Sequence, residues 1–188
     1  MWLPGHSLLG HPRGARVVFF QKGCHLPLNI LDCQSDENDD MTAVILSTAI
    51  KENFMTLTAN ASVVFECTRL AHRFCCLADQ ADAAALASLF TPNGKFERGE
   101  LRVESRADIE KMTASRPSDM VTRHLLTTSV VEPIGDDAAE GRHYCLVYVS
   151  GAGQSPDRPI VREYQDRYRF TDEGWRIESR LVLTPFAG

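Results

Sequence analysis

The sequence predicts an α+β domain in which helices come first and a curved antiparallel sheet follows. Apolar residues recur at steps of three and four between positions 63 and 77, as on the buried stripe of a helix. From Val121 onward, segments rich in Thr, Val, Leu and Tyr are separated by Gly, Pro and Asp, as strands are. About three helices on one side of such a sheet would enclose a cone-shaped barrel, whose mouth is a site for small ligands.

The first helix of this domain is predicted to begin at Asn60 or Ser62, because either side chain can accept hydrogen bonds from the free N–H groups of a first turn. Its buried stripe consists of Val63, Cys67, Leu70, Phe74 and Leu77. A second helix is predicted from about Asp82 to Phe90, with Asp82 as its N-terminal cap, and Thr91–Gly94 ends it.

A short strand and a third helix are predicted next. Lys95–Glu100 favours a strand with Phe96 facing inward, and Ser105 and Asp108 resemble a capping box that opens the helix. The buried residues of that helix are Ile109 and Met112. The later strands are predicted at Val121–Glu132, Ala138–Val149, Ile160–Phe170 and Trp175–Leu183, and Thr171–Gly174 is typical of the turn of a hairpin.

The composition limits the classes of function. With 188 residues and a mass of 20.9 kDa, the chain is long enough for one domain with a sizeable core. A net charge of −5 and a pI near 5.7 argue against nucleic-acid binding, which needs clustered Lys and Arg. No apolar run approaches the roughly 20 residues of a membrane-spanning helix. Six cysteines without a CxxC pair indicate reduced thiols in a cytoplasmic protein.

The first part of the chain differs from the rest. Residues 1–40 lack consistent periodicity and contain scattered Gly, Pro and His, so residues 1–54 are predicted to be a disordered or weakly structured extension. Translation starting at Met41 or Met55 instead of Met1 is a second interpretation, and the segment after Met41 is a candidate lead-in helix. Residues 55–188 form the predicted domain.

One aspartate and one histidine are the main candidates for a chemical role. Asp79 ends the first helical pattern and His124 opens a strand, so the predicted fold brings them to one pocket. Imidazole titrates near neutral pH and can move a proton, while a carboxylate can orient it and favour its charged form. The alternatives are a buried histidine that bonds across the sheet and an aspartate that caps or bridges helices.

The order of elements resembles the SnoaL-like branch of the nuclear transport factor 2 (NTF2-like) superfamily. The resemblance covers about residues 60–185 and rests on a helix that ends in Phe90-Thr91-Pro92, a strand that opens with Arg123-His124, and Gly174-Trp175 in the last hairpin. It implies a cone-shaped barrel that often forms a homodimer through its open sheet face. Members of the superfamily are dehydratases, isomerases, cyclases, dioxygenase small subunits and binding modules, so fold does not specify activity.

The enzyme pattern most similar to this chain is that of scytalone dehydratase. Its aspartate and first histidine match Asp79 and His124, while its other pocket residues are replaced. The tyrosine positions hold Ala78 and Arg98, the second histidine is Val149, and the serine and asparagine positions hold Arg162 and Tyr164. The resemblance therefore implies an Asp–His pair in a pocket with a different lining, rather than dehydration of scytalone itself.

Three of these positions are predicted to bind substrate. Guanidinium groups of Arg98 and Arg162 would attract a carboxylate or another anion, and Tyr164 could donate a phenol hydrogen bond to a substrate oxygen. Alternatively, either arginine faces solvent or pairs with Glu97, Glu100 or Glu163, since a slip of one residue reverses the face.

The function predicted first is a lyase or isomerase reaction on a small cyclic or aromatic molecule, without metal, nucleotide or other cofactor. His124 would move the proton, Asp79 would orient it, and Tyr164, Arg98 and Arg162 would bind substrate. The alternatives are a polyketide cyclase, a ligand-binding module without chemistry, and the small subunit of an aromatic-ring dioxygenase.

Overall fold

A computed structural model describes residues 39–151, 153 and 156–186. The predictions for residues 1–38 lie outside the described residues. The chain divides into two compact units between Asn53 and Phe54. In the first unit the described residues belong to a helix, and the side chains of residues 44–53 are exposed. No helix among the described residues is long and apolar enough to cross a membrane.

The predicted helices and strands occur in the predicted order, with one additional strand. The helices are α1 (Asp39–Gln80), α2 (Ala83–Ser88) and α3 (Arg106–Ala114). The strands are β1 (Phe90–Arg98), β2 (Leu101–Glu104), β3 (Val121–Ile134), β4 (Ala138–Ser150), β5 (Ile160–Thr171) and β6 (Gly174–Leu183). This arrangement confirms the predicted α+β class.

The six strands form one curved sheet in the order β2-β1-β6-β5-β4-β3. Neighbouring strands are antiparallel except for β1 and β6, which run parallel. The register shifts within β3 between Leu126 and Thr128, and near Arg167 in β5. Because such bulges bend a strand and increase its twist, they help the sheet to curve around its inner face.

The core lies on the inner face of the sheet, where the second part of α1 packs. Phe74 of α1 is central to it, because its ring centroid lies 6.2 Å from that of Phe90, 6.2 Å from that of Phe96 and 6.0 Å from that of Tyr164. These rings are nearly inaccessible to solvent. Aromatic pairs at such distances add to the free energy gained by burying their apolar area.

Both predicted caps of the shorter helices are confirmed. The Asp82 carboxylate accepts a hydrogen bond from the backbone N–H of Ala85 at 3.0 Å at the start of α2. At the start of α3, the Ser105 hydroxyl accepts from the backbone N–H of Asp108 at 3.1 Å and donates to its carboxylate at 2.8 Å. These bonds satisfy donors that a first helical turn leaves free.

The structure corrects two element boundaries and adds one strand. Asn60 and Ser62 lie inside α1 and do not begin it, since the helix is continuous from Asp39. Thr91–Gly94 does not form a loop after α2; it belongs to β1, which hydrogen-bonds to β6. At Gly94 a Cβ atom would lie 2.8 Å from Cβ of Phe90, so the close approach there requires glycine. Strand β2 was not predicted.

Candidate functional site

Asp79 and His124 meet where the end of α1 reaches the inner face of β3. Oδ1 of Asp79 lies 2.6 Å from Nδ1 of His124, and Oδ2 accepts a hydrogen bond from the backbone N–H of His124 at 2.9 Å. Ala81, with a φ of 57°, terminates the helix two residues later. One carboxylate therefore holds both the ring and the backbone of the histidine.

A second layer of hydrogen bonds holds the carboxylate itself. The Thr122 hydroxyl donates to Oδ1 of Asp79 at 2.9 Å and accepts from Nη1 of Arg116 at 3.1 Å. Arg116 also donates to the carbonyl oxygens of Ala78 at 2.6 Å and Met120 at 3.0 Å. Because the guanidinium joins the end of α1 to the start of β3, the pair has little freedom to separate.

The surroundings define the protonation of His124. Burial, more than any other influence, lowers the pKa of the imidazole below its ordinary value, although its hydrogen bond with Asp79 acts in the opposite direction. A neutral ring that donates Nδ1–H to the carboxylate carries its lone pair on Nε2. No described residue hydrogen-bonds to Nε2. With side chains 12% and 16% exposed, His124 and Asp79 form a pair that solvent still reaches.

Tyr164 lies deeper on the same inner face. It is only 2% exposed, and its ring packs edge-to-face against Phe74. The guanidinium of Arg180 lies over the ring, with Cζ 4.5 Å from the ring centroid. Burial raises the pKa of the Tyr164 phenol well above its ordinary value. The phenol therefore stays protonated at neutral pH and keeps a hydrogen to donate.

Sequence reasoning missed a buried polar network next to this site. Nε and Nη2 of Arg180 donate to both oxygens of Asp166, at 2.7 and 2.5 Å, and both side chains are inaccessible to solvent. Nη1 of Arg180 is buried without a hydrogen-bond partner among the described residues. The alternation of side chains along β5 could have revealed this network. It places Asp166 on the same inward face as Tyr164, and a buried carboxylate requires a partner.

His143 continues the same network. The Tyr168 hydroxyl donates its single proton to Asp166 at 2.7 Å, so it accepts from Nε2–H of His143 at 2.8 Å. Nδ1 of His143 then accepts from the Ser129 hydroxyl at 2.9 Å. A Cβ atom at Gly141 would lie 2.7 Å from Nε2 of His143, so glycine makes room for this contact.

Acidification is expected to destabilise the protein through His143. Burial above all lowers the pKa of this imidazole from 6.5 to about 4, so below pH 6.5 the unfolded chain takes up the proton before the folded one does. The free energy of unfolding should therefore fall by up to ~3 kcal/mol as the pH drops from 6.5 to 4. Urea denaturation of the wild type and of His143→Gln at both pH values measures this effect. An equal pH dependence in the two proteins would contradict it.

The two predicted arginines lie on the inner face at one end of the sheet. Arg98 follows the buried Phe96 by two residues and pairs across to Val182, whose other neighbour is Tyr164. Arg162 precedes Tyr164 by two residues and donates to the Thr184 hydroxyl. Among the described residues, neither arginine forms an ion pair with a carboxylate.

Two clefts lie elsewhere on the surface. One cleft of about 780 Å³ runs along α1 between Leu57 and His72, and another of about 770 Å³ lies on the outer face of the sheet between Val130 and Leu181. Tyr144 lines the second cleft. The described residues contain no group of three His, Cys, Asp or Glu side chains that could hold a metal ion.

Comparisons with solved structures place this fold among known ones. A protein of unknown function from Mycobacterium tuberculosis is 26% identical, with a TM-score of 0.59, and the match covers 66% of this chain and 77% of that one. An NTF2-like protein with a cystatin-like fold from Novosphingobium aromaticivorans is 24% identical, with a TM-score of 0.57 and coverages of 80% and 93%.

A third structure, of a candidate scytalone dehydratase from the same bacterium, is 15% identical, with a TM-score of 0.57 and coverages of 74% and 93%. Likenesses at these low identities show the fold alone. None of the curated proteins matches the chain significantly. The SnoaL-like domain matches residues 61–181, which are more than half of the 188 residues. The chain therefore belongs to the SnoaL-like family, as the resemblance predicted.

Proposed function

We propose that this protein is a cofactor-independent lyase or isomerase that moves a proton on a small cyclic or aromatic molecule. The observation that carries this proposal is the 2.6 Å contact between Asp79 and His124, with Nε2 of the histidine left without a partner among the described residues. A neutral imidazole oriented by a carboxylate is suited to general base catalysis near neutral pH. Domains of this superfamily bind small molecules, which supports a ligand at the site.

The proposed reaction needs only the residues of the site. Nε2 of His124 takes a proton from a carbon next to a carbonyl, and the electron pair moves onto the carbonyl oxygen. In an isomerase the imidazolium returns the proton to a different carbon; in a dehydratase it protonates a leaving hydroxyl, which departs as water. Asp79 stabilises the imidazolium in both cases, and Tyr164 has a phenol proton to donate to the developing oxyanion.

Removing the imidazole should abolish proton transfer and leave the fold intact. We expect His124→Ala to slow exchange of the α-hydrogens of 2-tetralone in D₂O by about 100-fold or more relative to the wild type, because the general base is lost. NMR measures the exchange, and circular dichroism checks the fold. Replacement of the exposed His72 by alanine is the matched control and should leave the rate unchanged. Equal rates in His124→Ala and the wild type would contradict the proposal.

A second candidate is a module without chemistry, such as the small subunit of an aromatic-ring dioxygenase. The dense packing behind the pair favours it, because Tyr164 and Arg180 are almost completely buried. In that case the outer sheet face, where Val130, Tyr144 and Leu181 are exposed, would bind a large subunit. The same face would serve the predicted homodimer.

Native mass spectrometry of the protein purified from its source separates these possibilities. A dimer of this chain with 2-tetralone exchange supports the enzyme, whereas a stable complex with a larger subunit and no exchange supports the module. The predicted cytoplasmic location is a separate proposal, consistent with the free thiols of the described cysteines, Cys67, Cys75, Cys76 and Cys145.

A further inference from the structure

Arg98 and Arg162 carry two positive charges that the described part of the protein does not neutralise. The glutamates that precede and follow them in sequence were the obvious partners, but both are engaged elsewhere. Glu97 pairs with Arg102 at 3.6 Å, and Glu163 pairs with Arg142 at 3.2 Å.

Strand alternation explains this separation. Glu97 and Glu163 point to the outer face of the sheet, where their partner arginines also lie, while Arg98 and Arg162 share the inner face with Phe96 and Tyr164. Because adjacent residues of a strand point to opposite faces, each arginine is kept away from its neighbouring carboxylate.

The positive charge of Arg98 also acts on the Arg162 guanidinium. Burial and, next in importance, the positive charge of Arg98 lower the pKa of the Arg162 guanidinium below its ordinary value. Arg162 is held in place by its hydrogen bond to the Thr184 hydroxyl, which does not offset charge. Two like charges that lie close together favour an anion between them.

Arg162 is the nearer of the two arginines to the proton-transfer site, because β5 lies two strands from β3 and β1 lies four strands from it. His124 pairs across to Val147, which pairs to Ile160, and Arg162 is two residues further along the inner face. With strands about 4.8 Å apart and a rise of about 3.3 Å per residue, the Cα atoms of His124 and Arg162 are roughly 12 Å apart. Both residues lie on the inner face, so a ring whose carboxylate binds Arg162 would extend along this face toward His124.

We infer that Arg98 and Arg162 form an anion site that binds the carboxylate of a ring-bearing ligand and orients its ring toward His124. The inference rests on the proposed function for the role of the ring and adds the charge and class of the substrate. Arg162 would supply the anchored donor, and the more exposed Arg98 would close on the carboxylate from the rim. Arg98 and Arg162 are thus specificity-determining residues, and the reaction remains with His124.

Calorimetric titration with 1-naphthoate and its neutral isostere 1-naphthamide tests the site. We expect Arg98→Gln and Arg162→Gln each to weaken naphthoate binding about tenfold, because each removes a charge-assisted hydrogen bond. Arg102→Gln is the matched control, since it removes the same charge from the outer face and should leave the affinity unchanged. Thermal unfolding followed by circular dichroism verifies that each variant is folded.

Three results would overturn the inference: no saturable binding of naphthoate by the wild type in the millimolar range, equal loss in Arg102→Gln, or equal affinity for naphthamide. Inorganic phosphate that binds as tightly as naphthoate would also overturn the requirement for a ring. If binding depends on the arginines but tetralone exchange is absent, the anion site stands and the proposed reaction is refuted. If exchange occurs without such binding, the proposed reaction stands and the anion site is refuted.

Discussion

Replacing Asp166 by asparagine is expected to lower the free energy of unfolding by about 3–5 kcal/mol, because it leaves a buried guanidinium without its counter-charge. Asp166 accepts both strong bonds of Arg180, and neither side chain is accessible to solvent. Burial alone would lower the pKa of Arg180, but Asp166 and two tyrosines raise it above its ordinary value, so the residue stays charged. Urea denaturation followed by fluorescence measures the loss.

The exposed pair of Arg169 and Asp137 provides the matched control. Its atoms lie 3.1 Å apart, but the side chains are 39% and 65% exposed, so solvent screens the interaction. Asp137→Asn should therefore change stability far less than Asp166→Asn. The double variant Asp166→Leu/Arg180→Leu should regain part of the loss, because it removes both buried charges. Equal effects of the two single variants would show that the buried ion pair contributes no more to the free energy of unfolding than the exposed one does.

Replacing Asp79 by asparagine is expected to slow 2-tetralone exchange by about 100-fold or more, although the fold is kept. The amide oxygen can still accept from the backbone N–H of His124, which now bonds to Oδ2 at 2.9 Å. Its NH₂ group would donate to Nδ1 and place the ring proton on Nε2. The general base would then have no lone pair directed toward the substrate.

Asp82→Asn is the control for this experiment. It lies three residues further along the chain and caps α2, a role that asparagine fills as well as aspartate. Exchange rates should therefore match those of the wild type. If Asp79→Asn exchanged at the wild-type rate, the carboxylate would be a structural contact only, and the function without chemistry would be favoured.

Much of the fold could be predicted from local patterns in the sequence. The strands β3 to β6 were predicted within two residues of their observed ends, because alternation and turn residues are properties of neighbouring positions. Strand β2 was missed, since Leu101–Glu104 is too short to show a period. The start of β1 was missed because Phe90 belongs to the strand only through its parallel pairing with Ile177 of β6.

The candidate site could also be predicted from the sequence only in part. That Asp79 and His124 meet was predicted from the order of elements and the inward face of β3, and the 2.6 Å contact agrees with it. Their catalytic role stays a prediction. The partners of Arg98 and Arg162 could not be predicted, because a shift of one residue in register exchanges the two faces of a strand.

The sequence alone contains the helix and strand periods, the caps of the shorter helices and the family, because these depend on residues a few positions apart. The buried network of Arg180, Asp166, Tyr168 and His143 depends on the pairing of β4, β5 and β6. A charge is tolerated in the core only when folding supplies its partner. Pairing between strands thus decided which charges are neutralised inside the protein and which have no counter-charge among the described residues.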